Sequence, residues 1–270
     1  MSFRLAAALA VALLAGRAAA SEPPSPVSQP AAAAGAAAGP IPFAPGEQID
    51  MSIDYLSVRT GKVRMVIGQP EGAVWPIICQ ARTDGIATLL NIREQYVTLW
   101  DAALRSSRGN DINAIEIGDR HTDLARFDRE SGKATVKVTR KGRTKESTHD
   151  VPRDVHDLAS ALLFLRLQPL ASGARYEYPV FSGTEVFVLK AEVEGRERVE
   201  TPAGRFDAIR VRVQLGFKDR FRTQRPSHVW ISADARRIPV RATADFAVGS
   251  IDVQLTGYRP GGQMAAAAAR

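Results

Sequence analysis

Strict alternation of apolar and polar side chains near the C-terminus is the feature that most constrains what this chain can fold into. After the turn Thr201-Pro-Ala-Gly204, Ile209 and Val211 begin a run in which every second side chain is apolar. That period-two pattern is typical of a strand with one dry face and one wet face. Two apolar runs further on, 229–231 and 238–240, flank a polar turn and predict a hairpin of the same sheet. The segment therefore predicts an extended antiparallel β protein.

The first part of the chain has the composition of a secretory signal. Arg4 supplies a positive start, and residues 5–16 form an apolar run that is too short to span a bilayer. Ala18–Ala20 supply the small residues that a signal peptidase requires. We expect a signal peptide over residues 1–20, cleavage before Ser21, export to the periplasm, and no transmembrane segment after cleavage.

Composition divides the rest of the chain into three parts. Residues 21–45 are rich in Pro and Ala and predict a disordered linker, because they carry too little apolar bulk to offset the entropy of ordering. Residues 46–258 have the size of a single β-rich domain. Residues 259–270 predict a disordered tail.

Cysteine usage and net charge narrow the chemistry further. Cys79 is the only cysteine, so the exported chain has no internal disulfide, and its apolar neighbours predict a buried, unreactive thiol. The formal net charge is +7, with the densest basic stretches at 140–145 and 218–225. In an exported protein these favour a hairpin tip and a solvated loop, or contact with an anionic lipid, over nucleic acid.

Short strands separated by polar turns fill most of the domain. Strands are predicted near residues 49–55, 63–67, 74–81, 96–100, 103–107, 122–128, 134–140, 144–151, 176–181, 185–193, 198–201, 205–217, 227–232, 238–247 and 250–258. The sequence also predicts a short helical turn at 88–92 and a tight hairpin turn at 194–197, around Gly195.

One helix interrupts the strands. Asp154 is its candidate cap, Asp157 lies in the first turn, and leucines from Leu158 onward recur at helical spacing. Residues 161–165 are apolar nearly all round, so the helix must be covered on two sides. We therefore predict a mainly β (α+β) fold, with a single large curved antiparallel sheet or incomplete β-barrel and one central apolar helix.

Four motifs in order carry a family resemblance. They are Phe43-Ala-Pro-Gly-Glu47, Asp157-Leu-Ala-Ser-Ala-Leu-Leu-Phe-Leu-Arg166, Thr201-Pro-Ala-Gly-Arg-Phe-Asp207, and Trp230-Ile-Ser-Ala-Asp234 with Arg237-Ile-Pro-Val240. In order and rough spacing they resemble the exported bacterial family known as domain of unknown function 3108, over residues 43–255. The resemblance implies no established activity. That family is similar in shape to periplasmic lipoprotein carriers, which implies a half-barrel that holds acyl chains against a helical lid.

The residues offer no constellation for catalysis or for a bound metal or cofactor. The four histidines lack metal-ligand spacing: His121, His149, His156 and His228. Neither a nucleophile elbow nor a phosphate-binding glycine loop occurs. Asp154 and Asp157 could act as paired carboxylates, but their position at a helix start favours capping. We therefore expect no catalytic residue, no metal and no cofactor, and a hydrolase ranks third among the hypotheses.

The leading hypothesis is a periplasmic binding or carrier protein for a hydrophobic, acyl-bearing or lipid-like ligand. Its predicted ligand contacts are helix residues and two tryptophans: Leu158, Ala161, Leu162, Leu165, Trp100 and Trp230. The alternative for these residues is a closed core in which they pack against one another. The alternative function is a structural or adaptor protein of the cell envelope, which binds another protein and no small ligand.

Overall fold

The computed structural model describes residues 40–216, 227–245 and 249–262, which fold around one antiparallel sheet of 14 strands. The strands are β1 (Gln48–Tyr55), β2 (Val58–Ile67), β3 (Val74–Thr83), β4 (Arg93–Asp101), β5 (Ser106–Glu116), β6 (Asp119–Asp128), β7 (Lys133–Arg140), β8 (Arg143–Asp150), β9 (Arg175–Phe181), β10 (Val186–Thr201), β11 (Gly204–Gly216), β12 (Ser227–Ser232), β13 (Pro239–Asp245) and β14 (Ser250–Arg259). Within the described ranges, one 3-10 helix (Gly85–Leu90) and one α-helix, α1 (Leu158–Leu167), accompany the sheet.

The order of the strands leaves the sheet open. From β1 the strands follow the chain outward to β8, while β14 pairs with the other side of β1 and leads back to β9. The two edges are therefore β8 and β9. A sheet of this size curls rather than staying flat. The predicted fold class, a mainly β chain with one large antiparallel sheet or incomplete barrel and one apolar helix, is confirmed.

Local contacts rather than a strand ladder bring the two edges together. The backbone of His156 donates to the carbonyl of Pro179 at 2.9 Å and accepts from the N–H of Phe181 at 2.8 Å. The Phe181 ring packs edge-on against Phe127, 5.8 Å between centroids, and lies 5.4 Å from His149. The two phenylalanines belong to an apolar cluster that joins β6 and β7 to β9. Side-chain packing therefore holds the two edges together where β8 and β9 form no strand pairing.

The antiparallel order gives the sheet two different ends. The turns β1–β2, β3–β4, β5–β6 and β7–β8 lie at one end, which we term the tip end. Helix α1 reaches the opposite end, which we term the helix end, because its Arg166 donates to carbonyls of the β12–β13 turn. Buried side chains of α1 pack with those of β1–β5 and β9–β14 in one main core.

The strand predicted at 103–107 is wrong, because the chain turns there and then enters β5, which continues to Glu116. The buried side of β5 carries Ser107 and Asn110, so polar residues occupy positions where alternation predicts apolar ones. Ser107 donates its hydroxyl to Asp157 at 2.6 Å. Because that partner is remote in sequence, nothing near residues 106–111 explains their polar side chains. The segment therefore lacks the alternation of a strand, and this central strand was not predicted.

The hairpin turn predicted at 194–197 is also wrong. β10 runs unbroken through these residues, and its register against β11 shifts at Gly195. A bulge inserts an extra residue and bends a strand without reversing it. In place of the short helical turn predicted at 88–92, the structure has the 3-10 helix over Gly85–Leu90.

Several predicted segments lie outside the described residues: the signal peptide 1–20, most of the linker 21–45, the basic stretch 218–225 and most of the tail 259–270. The other basic stretch, 140–145, is a hairpin tip as predicted, with its turn at Lys141 and Gly142 between β7 and β8.

Candidate functional site

Helix α1 is anchored through Asp157, which caps its first turn. The buried carboxylate accepts from the N–H of Ser160 at 2.9 Å, the hydroxyl of Thr98 at 2.9 Å and the hydroxyl of Ser107 at 2.6 Å. Burial raises the pKa of Asp157, and these hydrogen bonds oppose that shift. The cap is Asp157 rather than Asp154, because the chain is still extended before it. A carboxylate with no exposure to water is an anchor and cannot meet a substrate.

His156, the residue before the cap, is buried in a neutral state. Its ring lies 4.6 Å from Phe164 and 5.5 Å from Tyr178 between centroids, and its Nδ1 lies 3.3 Å from the Ser160 hydroxyl. Burial, aided by the charge of Arg129, lowers the pKa of His156 to about 3. The imidazole is therefore packed among aromatic rings, and the described residues do not place it as a base beside an accessible nucleophile.

Arg166, near the end of α1, joins three of the four sequence motifs. Its buried guanidinium donates to Glu47 Oε1 at 2.8 Å and to the carbonyls of Arg237 at 2.8 Å and Arg236 at 3.0 Å. It also lies 4.7 Å from the centre of the Phe43 ring. Burial raises the pKa of Glu47, and the charge and hydrogen bond of Arg166 oppose that shift. These motifs thus tie α1 to the start of β1 and to the β12–β13 turn.

The remaining motif folds the end of the β10–β11 hairpin across its neighbours. At the hairpin tip, Ala203 donates its N–H to the carbonyl of Leu255 in β14 at 3.1 Å. The carbonyl of Asp207 accepts from the N–H of Ala233 at 2.8 Å. Because β12 and β13 stand between β11 and β14 in the sheet, the hairpin end crosses both of them.

Trp230 lies under this folded hairpin. Its Nε1–H donates to Glu197 of β10, and the guanidinium groups of Arg210 and Arg241 lie 5.5 and 5.2 Å from its ring centre. Arg210 and Arg241 are also its register partners on β11 and β13, so the three side chains share one face of the sheet. Charged groups therefore contact the Trp230 ring, which is otherwise buried in the main core.

The four helix residues predicted to contact a ligand are part of the packed core. Ala161, Leu162 and Leu165 are buried in the main core, and Leu158 is partly buried against it. The hydroxyl of Tyr178 donates to the carbonyl of Ala161 at 3.0 Å, inside the same core. The expectation that α1 is covered on more than one side is confirmed by its burial.

Trp100, on β4, packs in an aromatic group within the main core. Its ring is fully buried and packs 5.2 Å from Phe43 and 5.4 Å from Trp75 between centroids. The strands β3, β2, β1, β14 and β13 lie between β4 and β12. The structure therefore does not bring Trp100 and Trp230 together at one surface.

A cavity of about 880 Å³ lies across strands β1–β6 and the end of β14. Its lining includes five cationic residues: Lys62, Arg64, Arg82, Arg93 and Arg120. It also includes five apolar residues, of which Met51, Val63, Ala81 and Ala114 are buried in the main core, while Ile115 shares the face of the cations. The two carboxylates in the lining are Asp50 and Glu94. The residues predicted to contact a ligand do not line this cavity.

Four of the cations form a row across neighbouring strands. Lys62 on β2 is the register partner of Arg82 on β3, which is the partner of Arg93 on β4. Ile115 on β5 then joins Arg93 to Arg120 on β6. Direct partners share a face at about 5 Å, so the row runs on one face of the sheet from β2 to β6.

This row contrasts with several positions elsewhere in the sheet. There, opposite charges stand directly across from each other in ion pairs: Lys133 with Asp150, Lys137 with Glu146, Lys190 with Glu177, and Arg175 with Glu192. Within the described ranges, no carboxylate lies at ion-pair distance from Arg82, Arg93 or Arg120, whereas Lys62 pairs with Asp84 at 3.0 Å. Like charges directly opposite each other destabilise a sheet, so an anion bound here would relieve the repulsion.

Sequence reasoning missed this row because its members lie on separate strands. Each cation occupies the outward position of an ordinary alternating strand, which is a common place for a solvated charge. Only the strand register brings Arg82 opposite Arg93. The sequence does contain a signal, since Arg82 and Arg93 stand at nearly equal distances on either side of the β3–β4 connection. That signal predicts their pairing only if residues 74–101 are first recognised as a hairpin.

The described residues give no sign of a reactive centre. No cluster of His, Cys, Asp and Glu among them is arranged to hold a metal ion. In the same ranges, no helix is both long and apolar enough to cross a bilayer. Cys79 is buried as predicted, and burial, aided by the charges of Asp157 and Glu94, raises the pKa of its thiol to about 12. The thiol therefore stays protonated at neutral pH.

Three solved structures resemble this fold. A β-barrel-like protein of domain of unknown function 1849 from Brucella abortus matches with a TM-score of 0.54 and 15% identity, over 81% of this chain and 98% of that one. A Bacteroides fragilis protein described as exported, with a YmcC-like fold, matches at a TM-score of 0.32 and 13% identity over the same shares, 81% and 98%. A Parabacteroides distasonis protein described as a lipoprotein matches at 0.34 and 10% identity, again over 81% and 98%. At such identities the likeness concerns the fold alone, and no curated protein matches the chain.

A family model agrees with the sequence motifs. The model described as a protein of unknown function (DUF3108) matches residues 50–256, which include the segments of α1, of the β10–β11 hairpin and of the β12–β13 hairpin. The motif at Phe43–Glu47 lies just before the match and is joined to it by Arg166. The resemblance predicted from the motifs is confirmed, and the chain belongs to the DUF3108 family.

Proposed function

We propose that this protein is an exported, periplasmic binding or carrier protein that holds an acyl-bearing anion without changing it chemically. The observation that carries the proposal is the cavity of about 880 Å³, where a row of cations shares one face of the sheet with Ile115. Cavities of roughly 300–1,000 Å³ accommodate small-molecule ligands in proteins. Ile115 and the aliphatic stems of the arginines suit an acyl chain, and the guanidinium groups suit a carboxylate or phosphate group.

The row of cations indicates that the proposed ligand carries a negative charge. Arg82 and Arg93 stand directly opposite each other, and both are exposed. An anion bound between two guanidinium groups removes their mutual repulsion and accepts charge-assisted hydrogen bonds from both. A neutral hydrocarbon would leave that repulsion in place, so the ligand is amphipathic rather than purely apolar.

In this proposal α1 closes the helix end of the barrel instead of contacting the ligand. Ala161, Leu162 and Leu165 fill the main core, and Asp157 and Arg166 fix the two ends of the helix. For the residues of α1 we therefore favour the alternative in which they pack against one another in a closed core. The proposed ligand site lies on β1–β6 instead. Trp100 and Trp230 serve as packing residues in the same assignment.

The adaptor alternative draws on the open edge of β8. All of β8 except His149 is exposed, and an exposed edge can accept a strand from a partner. However, β8 carries Arg143, Lys145 and Glu146 among polar neighbours, and charged side chains of this kind discourage edge-to-edge pairing. The edge therefore supports the adaptor function less well than the cavity supports the carrier function.

Native mass spectrometry of protein purified from the cell envelope tests the proposal. We expect a population that carries the mass of a fatty acid or lysophospholipid, which organic extraction releases. After delipidation, lysophosphatidylglycerol should bind saturably in calorimetric titration. Arg82→Glu with Arg93→Glu should weaken that binding about tenfold or more, because two attractive charges become repulsive.

The matched control is Arg205→Glu. It makes the same kind of substitution once, at an exposed arginine of β11 outside the cavity, and should leave the titration unchanged. If the purified protein carries no lipid mass and shows no saturable binding, the carrier proposal fails. A co-purifying protein in place of a lipid would instead favour the adaptor.

A further inference from the structure

Exposed apolar side chains concentrate at the tip end of the sheet. Leu89 is 95% exposed, Ile86 74% and Leu90 48%, all in the 3-10 helix between β3 and β4. The neighbouring β5–β6 turn exposes Ile117 to 70%, and the β1–β2 turn exposes Leu56 to 56%. These three turns follow one another along the sheet at intervals of about 10 Å. Exposed apolar side chains that are grouped in this way indicate an interaction surface.

The 3-10 helix is held firmly in this exposed position. The N–H of Asp84 donates to the carbonyl of Thr60 on β2 at 2.9 Å, and its carboxylate pairs with Lys62 at 3.0 Å. Gly85 has a φ of 58°, and a Cβ there would lie 2.7 Å from the carbonyl oxygen of Arg59. The segment is therefore pressed against β2 through its backbone, while its leucines face away from the core.

Cations stand directly behind the apolar turns. Arg82 and Arg93 flank the 3-10 helix, and Arg120 follows the β5–β6 turn by two residues. The next turn along, between β7 and β8, carries Lys141 and Arg143. Among the residues that the structure describes, none of these five cations has a carboxylate at ion-pair distance.

Three carboxylates at this end are in ion pairs. Asp54 pairs with Arg59, Asp84 with Lys62, and Asp119 with Arg140 at 3.3 Å. At these turns five further cations stand against two further carboxylates, Glu94 and Glu116, which leaves the tip end with an excess of positive charge. An apolar edge backed by unpaired cations has the amphipathic arrangement of a surface that lies in the headgroup region of an anionic bilayer.

We propose that the tip end docks on an anionic bilayer surface. The apolar side chains of the three turns enter the boundary between headgroups and acyl chains, and the arginines and lysines contact lipid phosphates. This inference goes beyond the proposed function, because docking requires no ligand in the cavity. It places the cavity beside a membrane, since Arg82, Arg93 and Arg120 belong both to its lining and to the cations behind the turns.

Charge complementarity favours a bilayer over a second copy of the chain. Two copies meeting tip to tip would bring like-charged rows together at the rim of the contact, which opposes association. A planar anionic surface satisfies the cations of all four turns at once. It also buries the leucine side chains without requiring a shaped groove in a partner.

Flotation with vesicles tests the proposal on the purified full chain. The probes are vesicles of phosphatidylcholine alone and of phosphatidylcholine with phosphatidylglycerol at about 2:1, where each basic residue near the surface adds attraction. We expect flotation with the anionic vesicles only, and less of it at high salt. Leu89→Asp, and separately Lys141→Glu with Arg143→Glu, should each weaken partition about tenfold.

The matched control is Leu104→Asp, which changes a leucine that is 52% exposed in the β4–β5 turn at the opposite end. It should float like the parent. None of the changed residues lines the cavity, so the titration with lysophosphatidylglycerol should be the same in all variants. If that titration shows no binding in any of them, the carrier proposal fails and the docking proposal is unaffected. The docking proposal is overturned if the parent does not float, if Leu89→Asp floats like the parent, or if sedimentation shows that Leu89→Asp abolishes a dimer instead.

Discussion

Arg166 shows how single residues hold this fold together. A guanidinium with no exposure to water pairs with Glu47 and with two backbone carbonyls, although its Nη1 and the Oε2 of Glu47 have no hydrogen-bond partner among the described residues. Removing one partner would leave the other buried and uncompensated, which typically costs about 3–5 kcal/mol. Because Phe43, Glu47 and the β12–β13 turn all meet at Arg166, these motif residues are explained by structure rather than by chemistry on a substrate.

His156 predicts an acid-dependent loss of stability. Its pKa is 6.5 for the free side chain and about 3 in the fold, so below about pH 6.5 the unfolded chain binds a proton that the folded chain refuses. Stability should therefore fall as the pH drops from about 6.5 toward 3, by up to about 1.4 kcal/mol per pH unit. Above pH 6.5 the residue should add no pH dependence.

Urea unfolding of the parent and of His156→Gln across this range measures the effect. The variant should be less stable at neutral pH, because it loses the contacts with Phe164 and Tyr178, but its stability should fall less steeply with acid. Burial raises the pKa values of Asp157 and Glu47, so these two groups favour the folded state as the pH falls, opposite to His156. Their contribution is present in the parent and in the variant, and it therefore cancels when the two slopes are compared. Equal slopes would show that the folded state admits a proton at His156.

Among the elements, α1 was the easiest to predict and β5 the hardest. The helix is apolar nearly all round, which requires cover on several sides wherever it lies. Its cap could not be fixed from sequence, because Asp154 and Asp157 are equally good capping residues and only Thr98 and Ser107 on the sheet select between them. β5 escaped prediction for the same reason, since Ser107 is polar on account of a partner about fifty residues away.

The same pair of aspartates yields a test at the scale of the helix. Asp157→Ala removes the cap and leaves the hydroxyls of Thr98 and Ser107 buried without their acceptor, so it should destabilise the protein by about 2–4 kcal/mol. Asp154→Ala changes an exposed residue and should stay within about 0.5 kcal/mol of the parent. Thermal and urea unfolding of the two variants measure the difference. Similar losses in both would mean that Asp154 shares the capping role.

At the scale of the whole molecule, the sequence predicted the architecture but not the place of the cavity. Strand alternation and one apolar helix were enough to predict an open, curved antiparallel sheet, because few other arrangements bury those faces. The cavity depends on which residues stand opposite each other on β2–β6. Register of that kind is set jointly by turns, bulges and neighbouring strands, and so it cannot be derived from any one segment such as 82–93.

A photoreactive fatty acid tests the central claim most directly, because it reports where an acyl chain lies. The delipidated protein would be labelled with a diazirine-bearing fatty acid, with and without excess unlabelled lysophosphatidylglycerol, and the labelled peptides identified by mass spectrometry. We expect saturable label, displaced by the competitor, on the cavity segments 62–64, 80–82, 93–95 and 113–115. Label confined to α1 and Trp100, or no displaceable label at all, would contradict a ligand cavity on β1–β6.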